Sequence, residues 1–238
     1  MTRSIAVVVG AAGGIGRALA EAMAGDPAYG VVAALSRRRP AGWDGLWLPV
    51  DTLDEASLAE AAASLRDAGE LTRIVVATGR LHGPGMAPEK SMRALSQDAL
   101  AELFAVNAIG PALVGKHLLP LTPRDRPSLF AALSARVGSI GDNHLGGWYG
   151  YRASKAALNM LVRTLAIEHR RTRPLGVCVA LHPGTVNTAL SAPFQAGVPA
   201  NKLFTPAQSA AALLRVMDAL GPDADGGFFA WDGAAIPW

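Results

Sequence analysis

The length, composition and charge of the chain limit the classes of protein to which it can belong. It has 238 residues, of which 50% are hydrophobic, so it can bury a sizeable core, and its length suits one α/β domain better than two small ones. The formal net charge is +3 and the Lys and Arg residues are scattered, so nucleic acid is not expected as a partner. The single cysteine, Cys178, lies in an apolar run with no disulfide or metal-ligand pattern around it, which favours a reducing cytoplasm and no bound metal.

The N-terminal segment, residues 1–16, has a charge followed by apolar residues, as a signal peptide does. Its β-branched run leads into a glycine turn, however, which is more typical of a first strand. No stretch of eighteen or more apolar residues occurs, so we expect no membrane span.

Short runs rich in Val, Ile and Leu alternate along the chain with longer alanine-rich stretches. In chain order, the predicted strands cover 4–10, 30–36, 45–50, 73–78, 128–134, 176–182 and 227–231. The predicted helices cover 16–25, 54–68, 96–121, 151–171 and 206–220. This alternation is typical of a parallel sheet covered by helices on both faces. We therefore predict an α/β chain that forms a single Rossmann-type, doubly wound domain over residues 1–238, with about seven strands.

Three irregular segments, 80–92, 138–148 and 191–204, follow predicted strands. In an open α/β sheet, the loops that leave the carboxyl ends of the strands surround the ligand crevice. We therefore expect these segments to line the functional site.

The stretch "VGAAGGIG" places Gly10, Gly14 and Gly16 after the first strand and at the start of a helix. Glycines there let the backbone approach a pyrophosphate, whose charge is favoured by the free N–H groups and the dipole of the helix N-terminus. A tight strand-to-helix turn without a ligand is the alternative.

Tyr151 and Lys155 lie four residues apart in "YRASK". On a helix they would share a face, with Cβ atoms about 5–6 Å apart. Bringing a phenol pKa from near 10 to neutrality requires about 4 kcal/mol, which a nearby ammonium at a shielded site can supply. The pair could thus act as a proton donor and the cation that tunes it. A chance pair on an amphipathic helix is the alternative.

These motifs together resemble the short-chain dehydrogenase/reductase family over essentially the whole chain, and look most like its subgroup of C-factor-like carbonyl reductases. The resemblance implies that a carbonyl carbon takes a hydride from a nicotinamide while Tyr151 gives a proton to the oxygen. Lys155 would hold the cofactor ribose. A dinucleotide-binding regulator with weak or no turnover, and an assembly or lipid-binding module, are the alternatives.

The resemblance also implies a set of cofactor-binding residues. Ser36 ends the second predicted strand, where an acidic residue would bind NAD, and Arg37 and Arg38 follow it, so NADP(H) is preferred and NAD(H) is possible. Family amides and a threonine are replaced by Val76, Ala77 and Val9. The implied set comprises Gly10, Gly13, Gly14, Ile15 and Gly16 at the first turn; Ser36, Arg37 and Arg38; Asp51, Thr52 and Leu53 near the adenine; Ala77, Thr78 and Gly79; and Pro183, Gly184, Val186 and Thr188 near the nicotinamide.

The serine and asparagine of the family's site are matched unequally. Asn107 matches the helical Asn that bends its helix and orders a water linked to the Lys. Ala135 occupies the position of the substrate-binding serine, and Ser134 precedes it. Because side chains alternate along a strand, Ser134 should point away from the site. Ser139 in the following loop is the other candidate, and a site without a serine is a third possibility.

The substrate is expected beneath segment 189–204. Its predicted lining is largely apolar, which favours a small, uncharged and fairly hydrophobic carbonyl or alcohol. The candidate lining residues are His144, Trp148, Tyr149, Phe194 and Phe204. By analogy with the family, a homodimer or homotetramer would form through the long helices around 99–121 and 151–171.

Overall fold

A parallel sheet of seven strands lies at the centre of the chain in the computed structural model, which describes residues 4–197, 199 and 202–238. The strands are β1 (Ser4–Val9), β2 (Val31–Ser36), β3 (Leu46–Pro49), β4 (Glu70–Val76), β5 (Ser128–Leu133), β6 (Gly176–His182) and β9 (Phe228–Ala230). Their order across the sheet is β3-β2-β1-β4-β5-β6-β9. A separate parallel pair joins β7 (Thr185–Val186) to β8 (Leu203–Phe204).

Helices cover both faces of this sheet, as the alternating pattern predicts. They are α1 (Gly14–Ala24), α2 (Glu55–Arg66), α3 (Gln97–Phe104), α4 (Gly110–Leu118), α5 (Tyr149–His169) and α6 (Pro206–Ala219). Along β1, Ile5 and Val7 belong to the core layer beneath α2, α4 and α5, whereas Ala6 and Val8 belong to the layer beneath α1 and α6. Both layers are apolar because the strands are buried on both sides. The predicted doubly wound fold is confirmed.

The boundaries differ from the sequence-based expectation in two places near the site. The predicted helix 96–121 is interrupted by a π-helical turn, Ala105–Ile109, between α3 and α4. The fourth strand begins at Glu70, earlier than expected, and ends at Val76. The first residues of this strand include polar ones that pair with β1 but do not belong to the apolar run. The hydrophobic pattern alone therefore placed the start of the strand too late.

The order of the strands reverses direction between β1 and β4. The chain places β2 and β3 on one side of β1, and β5, β6 and β9 beyond β4. In open α/β sheets, ligands bind outside the carboxyl ends of the strands at such a switch point. The residues that follow Val9 and Val76 therefore occupy the expected crevice.

The helical run Gln97–Leu121 is long and apolar enough, by length and composition alone, to cross a membrane. In this fold, its residues Val114 and Leu118 are fully buried in the core. A helix that packs in a protein core can be as apolar as a spanning helix, and 39% of this apolar window is buried within the fold.

Candidate active site

The glycines of the first turn let three backbone segments meet. Gly10 has φ +84, and a Cβ there would lie 3.0 Å from the Ala77 carbonyl carbon at the end of β4. A Cβ on Gly14 would lie 2.8 Å from Thr188 Cγ2, and one on Gly16 would collide with the Gly10 carbonyl oxygen. Only glycine fits these positions, because an added methyl group would meet backbone or a β-branched side chain.

The same turn has the properties of a pyrophosphate site. Gly13 precedes α1 without a side-chain cap, and Gly13 and Gly14 are exposed. The first N–H groups of a helix have no intrahelical acceptor, so they can bind an anion. Nearby, the Thr78 hydroxyl is buried and has no hydrogen-bond partner in the described part of the chain. Unpaired donors at a glycine-lined opening fit a dinucleotide.

At the end of β2, Ser36 is buried and its hydroxyl donates to the Arg38 carbonyl at 2.7 Å. The Trp47 indole donates to the same hydroxyl. Arg37 and Arg38 are exposed, whereas Arg39 donates through Nε to the Trp43 carbonyl at 3.0 Å. The Arg37 and Arg38 side chains are thus accessible beside the crevice, and Arg39 is engaged elsewhere.

The turn after β3 is organised by Asp51. Its carboxylate accepts from the Leu53 N–H at 3.0 Å, and Leu53 itself is exposed. Thr52 is buried, and a Cβ on Gly110 would lie 2.9 Å from the Thr52 hydroxyl. Asp54 caps α2 through the Ala56 N–H, as its position before the helix predicts.

Asn107 lies in the π-helical turn and is fully buried. Its side-chain oxygen accepts from the Arg80 N–H at 2.7 Å, and its Nδ2 donates to the Arg80 carbonyl at 2.8 Å. Nδ2 also donates to the Ser154 hydroxyl of α5. The amide therefore joins the loop after β4 to α5, which explains why the helix is distorted at this residue.

Tyr151 and Lys155 lie one turn apart on α5, and both are buried. The Lys155 ammonium lies 6.0 Å from the centre of the Tyr151 ring. A Cβ on Gly79 would lie 3.6 Å from Lys155 Nζ and 3.7 Å from Asn107 Oδ1. The structure thus brings Tyr151, Lys155, Asn107 and Gly79 together, next to the crevice at the end of β4.

The pKa values in this cluster differ from the expectation that Lys155 acidifies the phenol. Burial raises the pKa of Tyr151 to about 12 and lowers the pKa of Lys155 to about 7. Loss of hydration disfavours the charged form of each group, and at this separation it outweighs their mutual attraction. The protein groups by themselves therefore favour a neutral phenol.

The two candidate serines make different contacts. Ser134 is buried, and its hydroxyl donates to Asn159 Oδ1 of α5 at 2.6 Å, so it is turned towards the helix, as strand alternation predicts. Ser139 is also buried, and its hydroxyl oxygen accepts from the Asp142 N–H at 3.1 Å. Ala135, between them, is half-buried and supplies no hydroxyl.

The segment after β6 lies against the glycine turn that follows β1. The Pro183 carbonyl accepts from Ser209 of α6, and Gly184 has φ +79. Val186 is buried in β7, and Thr188 lies against Gly14. A Cβ on Gly184 would lie 2.8 Å from the Phe204 ring. The four predicted residues of this segment therefore lie at the crevice or support it.

A row of aromatic rings borders the site in front of Tyr151. Trp148 makes edge contacts with Tyr151, at 6.2 Å between ring centres, and with Phe194, at 5.1 Å. Phe194 contacts His82 at 5.8 Å, and the His82 Nε2 lies 3.1 Å from the Ala189 carbonyl oxygen. We call His82, Trp148 and Phe194 the aromatic wall.

Not every residue expected to line the pocket belongs to this wall. Tyr149 and His144 are exposed. Phe204 packs against Trp231, with 4.7 Å between ring centres, and so supports the fold of this segment. The sequence pattern identified segments 80–92 and 189–204 but did not single out His82 in the first or Leu190 in the second, whose Cδ1 would lie 3.8 Å from a Cβ on Gly79. Neither residue belongs to a local motif.

Comparisons with known proteins identify the family to which this chain belongs. The family model described as short chain dehydrogenase matches residues 4–198. The chain is 40% identical over 140 residues to C-signal of Myxococcus xanthus, an alignment that covers 58% of this chain and 78% of the relative. It is 31% identical over 189 residues to 1-hydroxy-2-glutathionyl-2-methyl-3-butene dehydrogenase of Rhodococcus sp. (strain AD45), covering 79% and 78%.

A solved structure with the same fold is the NADPH-bound carbonyl reductase from chicken fatty liver. The TM-score is 0.84 at 26% sequence identity, and the superposition covers 100% of this chain and 99% of that chain. The family match spans most of the sequence, and the fold of the carbonyl reductase superposes on the whole chain. This chain belongs to the short-chain dehydrogenase family of oxidoreductases.

Proposed function

We propose that this protein reduces the carbonyl group of a small, fairly apolar molecule, or oxidises the corresponding alcohol, with Tyr151 as the proton donor and NADPH as the preferred hydride source. The observation that carries the proposal is the cluster of Tyr151, Lys155, Asn107 and Gly79 beside the glycine turn. When bound, the cofactor would supply the hydride to the carbonyl carbon.

The residues of this chain have separate tasks in that reaction. The neutral Tyr151 hydroxyl, which makes no hydrogen bond to the described residues, gives its proton to the carbonyl oxygen. Lys155 would hold the ribose of a bound cofactor and, when charged, would stabilise the phenolate that remains. Asn107 holds the Arg80 backbone, and thus the end of β4, against α5.

The preference for NADPH rests on the end of β2. Arg37 and Arg38 are accessible there, and no carboxylate follows Ser36 to bind a ribose diol. A guanidinium can hold a 2′-phosphate with paired hydrogen bonds. The chicken relative is described as NADPH bound, which agrees with this assignment.

The aromatic wall supports an apolar substrate. His82, Trp148 and Phe194 present ring edges to the space in front of Tyr151, and Leu190 lies close to Gly79. Such a lining binds uncharged carbonyl compounds better than charged ones. Ser139, whose hydroxyl proton is not committed to a described partner, is the serine best able to assist, because Ser134 donates to Asn159.

We further propose that the protein acts as a homodimer or homotetramer in the cytoplasm. Three apolar side chains are exposed in the long helical segments: Ile109 at the end of the π-helical turn, and Met160 and Ile167 on α5, with 51%, 66% and 43% of their surfaces accessible. Apolar side chains on adjacent helices favour association of two copies. Light scattering of the purified protein would measure the oligomeric state, and a monomer would contradict this proposal.

The test begins with cofactor binding and a panel of carbonyl compounds. Purified protein should enhance the fluorescence of NADPH more than that of NADH and should oxidise NADPH in the presence of an apolar aldehyde or ketone. Tyr151→Phe should abolish oxidation of NADPH while its affinity for NADPH is retained. Binding without turnover across the panel would favour a regulatory dinucleotide-binding protein, and unchanged turnover in Tyr151→Phe would exclude the proton donor.

A further inference from the structure

The helix that carries Tyr151 begins without a cap of its own. Its N-cap residue is Trp148, whose side chain makes no capping hydrogen bond. Trp148 has φ 51 and ψ 42, and it is the only non-glycine residue with a positive φ in the described part of the chain. Residues other than Gly, Asn and Asp rarely adopt this backbone conformation, so contacts with other parts of the protein must hold Trp148 in it.

Glu89 supplies those contacts from the loop after β4. Its carboxylate oxygens both lie 3.3 Å from the Gly150 N–H, across a sequence separation of 61 residues. Its backbone carbonyl accepts from the Trp148 N–H at 2.6 Å. One residue thus satisfies two backbone donors at the start of α5, in the role that a local Ser, Thr, Asp or Asn usually fills.

Gly150 is matched to this arrangement. A Cβ on Gly150 would lie 2.9 Å from Glu89 Oε1 and 2.7 Å from Leu103 Cδ1. Any side chain at this position would displace the carboxylate or the leucine. Glycine therefore permits the close approach of Glu89 to the helix.

A buried carboxylate is costly unless it is paired or hydrogen-bonded, and Glu89 is only 4% exposed. The N-terminus of α5 compensates through its N–H groups and the positive end of its dipole. Glu89 has no task in the proposed reaction itself. The two residues that it holds, however, lie next to Tyr151: Trp148 contacts the Tyr151 ring, and Gly150 directly precedes Tyr151 in the chain.

We propose that Glu89 is a positioning residue that sets the start of α5, and thereby orients Tyr151 for proton transfer and Trp148 in the aromatic wall. This inference rests on the proposed role of Tyr151 as the proton donor. Two sets of hydrogen bonds then hold loop 80–92 against α5. Asn107 bonds both to the Arg80 backbone and to Ser154 of α5, and Glu89 accepts from the Gly150 N–H.

The test compares variants of Glu89 with a control at the other end of the same helix. Glu89→Ala removes the acceptor, and Glu89→Gln keeps an acceptor oxygen without the charge. Thr122→Val is the control, because the Thr122 hydroxyl is buried against His169 near the end of α5, far from the crevice. For each variant, kcat and KM for the carbonyl, the Kd for NADPH and the Tm are measured.

We expect Glu89→Ala to lower kcat by about tenfold or more, because small displacements of a reacting group are costly to rate. The Kd for NADPH should stay within about twofold, since no contact to the glycine turn is removed. Glu89→Gln should restore kcat to within about threefold of the unaltered protein, because it can still accept from Gly150. Thr122→Val should lower the Tm and leave kcat unchanged.

An unchanged kcat in Glu89→Ala, or an equal loss of kcat in Thr122→Val, would overturn the proposal. If Glu89→Ala does not fold, Glu89→Asp replaces it, and the shorter carboxylate should give an intermediate loss of kcat. Amide hydrogen exchange over residues 148–152 tests Glu89 even if no carbonyl substrate is found. Faster exchange at Gly150 in Glu89→Ala supports the contact, and unchanged exchange overturns it.

Discussion

The Lys155 ammonium donates a hydrogen bond of 2.8 Å to the backbone carbonyl of Leu133, the last residue of β5. This bond joins Lys155 to the carboxyl end of β5, which lies in the interior of the sheet between β4 and β6. It also gives a buried cation one neutral acceptor, which compensates only partly for the loss of hydration. Burial accordingly lowers the pKa of Lys155 to about 7.

Replacing Lys155 with Met should stabilise the protein most at low pH. The folded pKa of about 7 lies below the ordinary value of 10.5, so the unfolded chain binds more protons between these pH values. Stability of the unaltered protein therefore rises with pH across that window. We expect Lys155→Met to be more stable by about 1–3 kcal/mol at pH 6, since it buries no ammonium.

Urea unfolding of both proteins at pH 6 and pH 9 measures this effect. The advantage of Lys155→Met should shrink as the pH rises, because the unaltered protein then loses its penalty. A variant that is less stable than the unaltered protein at both pH values would contradict the argument. Turnover should be lost in Lys155→Met at either pH.

Introducing a hydroxyl at Ala135 should increase turnover. Ala135 is half-buried two residues after β5, and the family resemblance implies that it replaces a substrate-binding serine. A donor to the carbonyl oxygen stabilises the developing charge, so Ala135→Ser should raise kcat by about tenfold. Steady-state kinetics with NADPH and one carbonyl measure it. Ala135→Cys, of similar size but a weak donor, is the control, and an equal gain in both variants would count against a hydrogen bond.

Arg37→Gln should weaken the binding of NADPH more than the binding of NADH. A charge-assisted hydrogen bond is worth about 1.5–3 kcal/mol, so the Kd for NADPH should rise about tenfold or more while the Kd for NADH stays nearly unchanged. Fluorescence titration of each reduced cofactor provides both values. Arg39→Gln is the matched control, because Arg39 donates to Trp43. If Arg37→Gln weakened the binding of both cofactors equally, Arg37 would not bind the 2′-phosphate.

Acid should destabilise the protein through His182. Burial, with a smaller contribution from Arg136, lowers the pKa of His182 to about 4, and its Nδ1 has no described partner. The unfolded chain therefore binds more protons between the ordinary value of 6.5 and about 4, and stability falls as the pH decreases through that window. His169, whose pKa burial also lowers, acts in the same direction.

His182→Asn should reduce this loss. Between pH 6.5 and pH 4 we expect the unaltered protein to lose about 1–3 kcal/mol more than the variant, because Asn does not titrate. Guanidinium unfolding at several pH values measures the difference. Parallel curves for the two proteins would assign the acid sensitivity to other groups.

Local patterns in the sequence were sufficient for the doubly wound fold and for much of the candidate site. Strand periodicity and the glycine turn located the crevice, and the spacing of Tyr151 and Lys155 placed both on one helical face. Thr205 also precedes Pro206 at the start of α6, and its hydroxyl accepts from the Gln208 N–H, a local cap that a short-range pattern can indicate because a cap and its partner are neighbours in the chain. Each of these features depends on residues a few positions apart.

The tertiary structure decided the features that join distant segments. Glu89 caps a helix that begins 60 residues later in the numbering, His82 meets Phe194, and Asn107 holds Arg80 through a π-helical turn. It also decided that burial would outweigh the attraction between Lys155 and Tyr151. Such contacts leave no periodic signal, because the choice of partner and the depth of burial depend on how the whole chain packs.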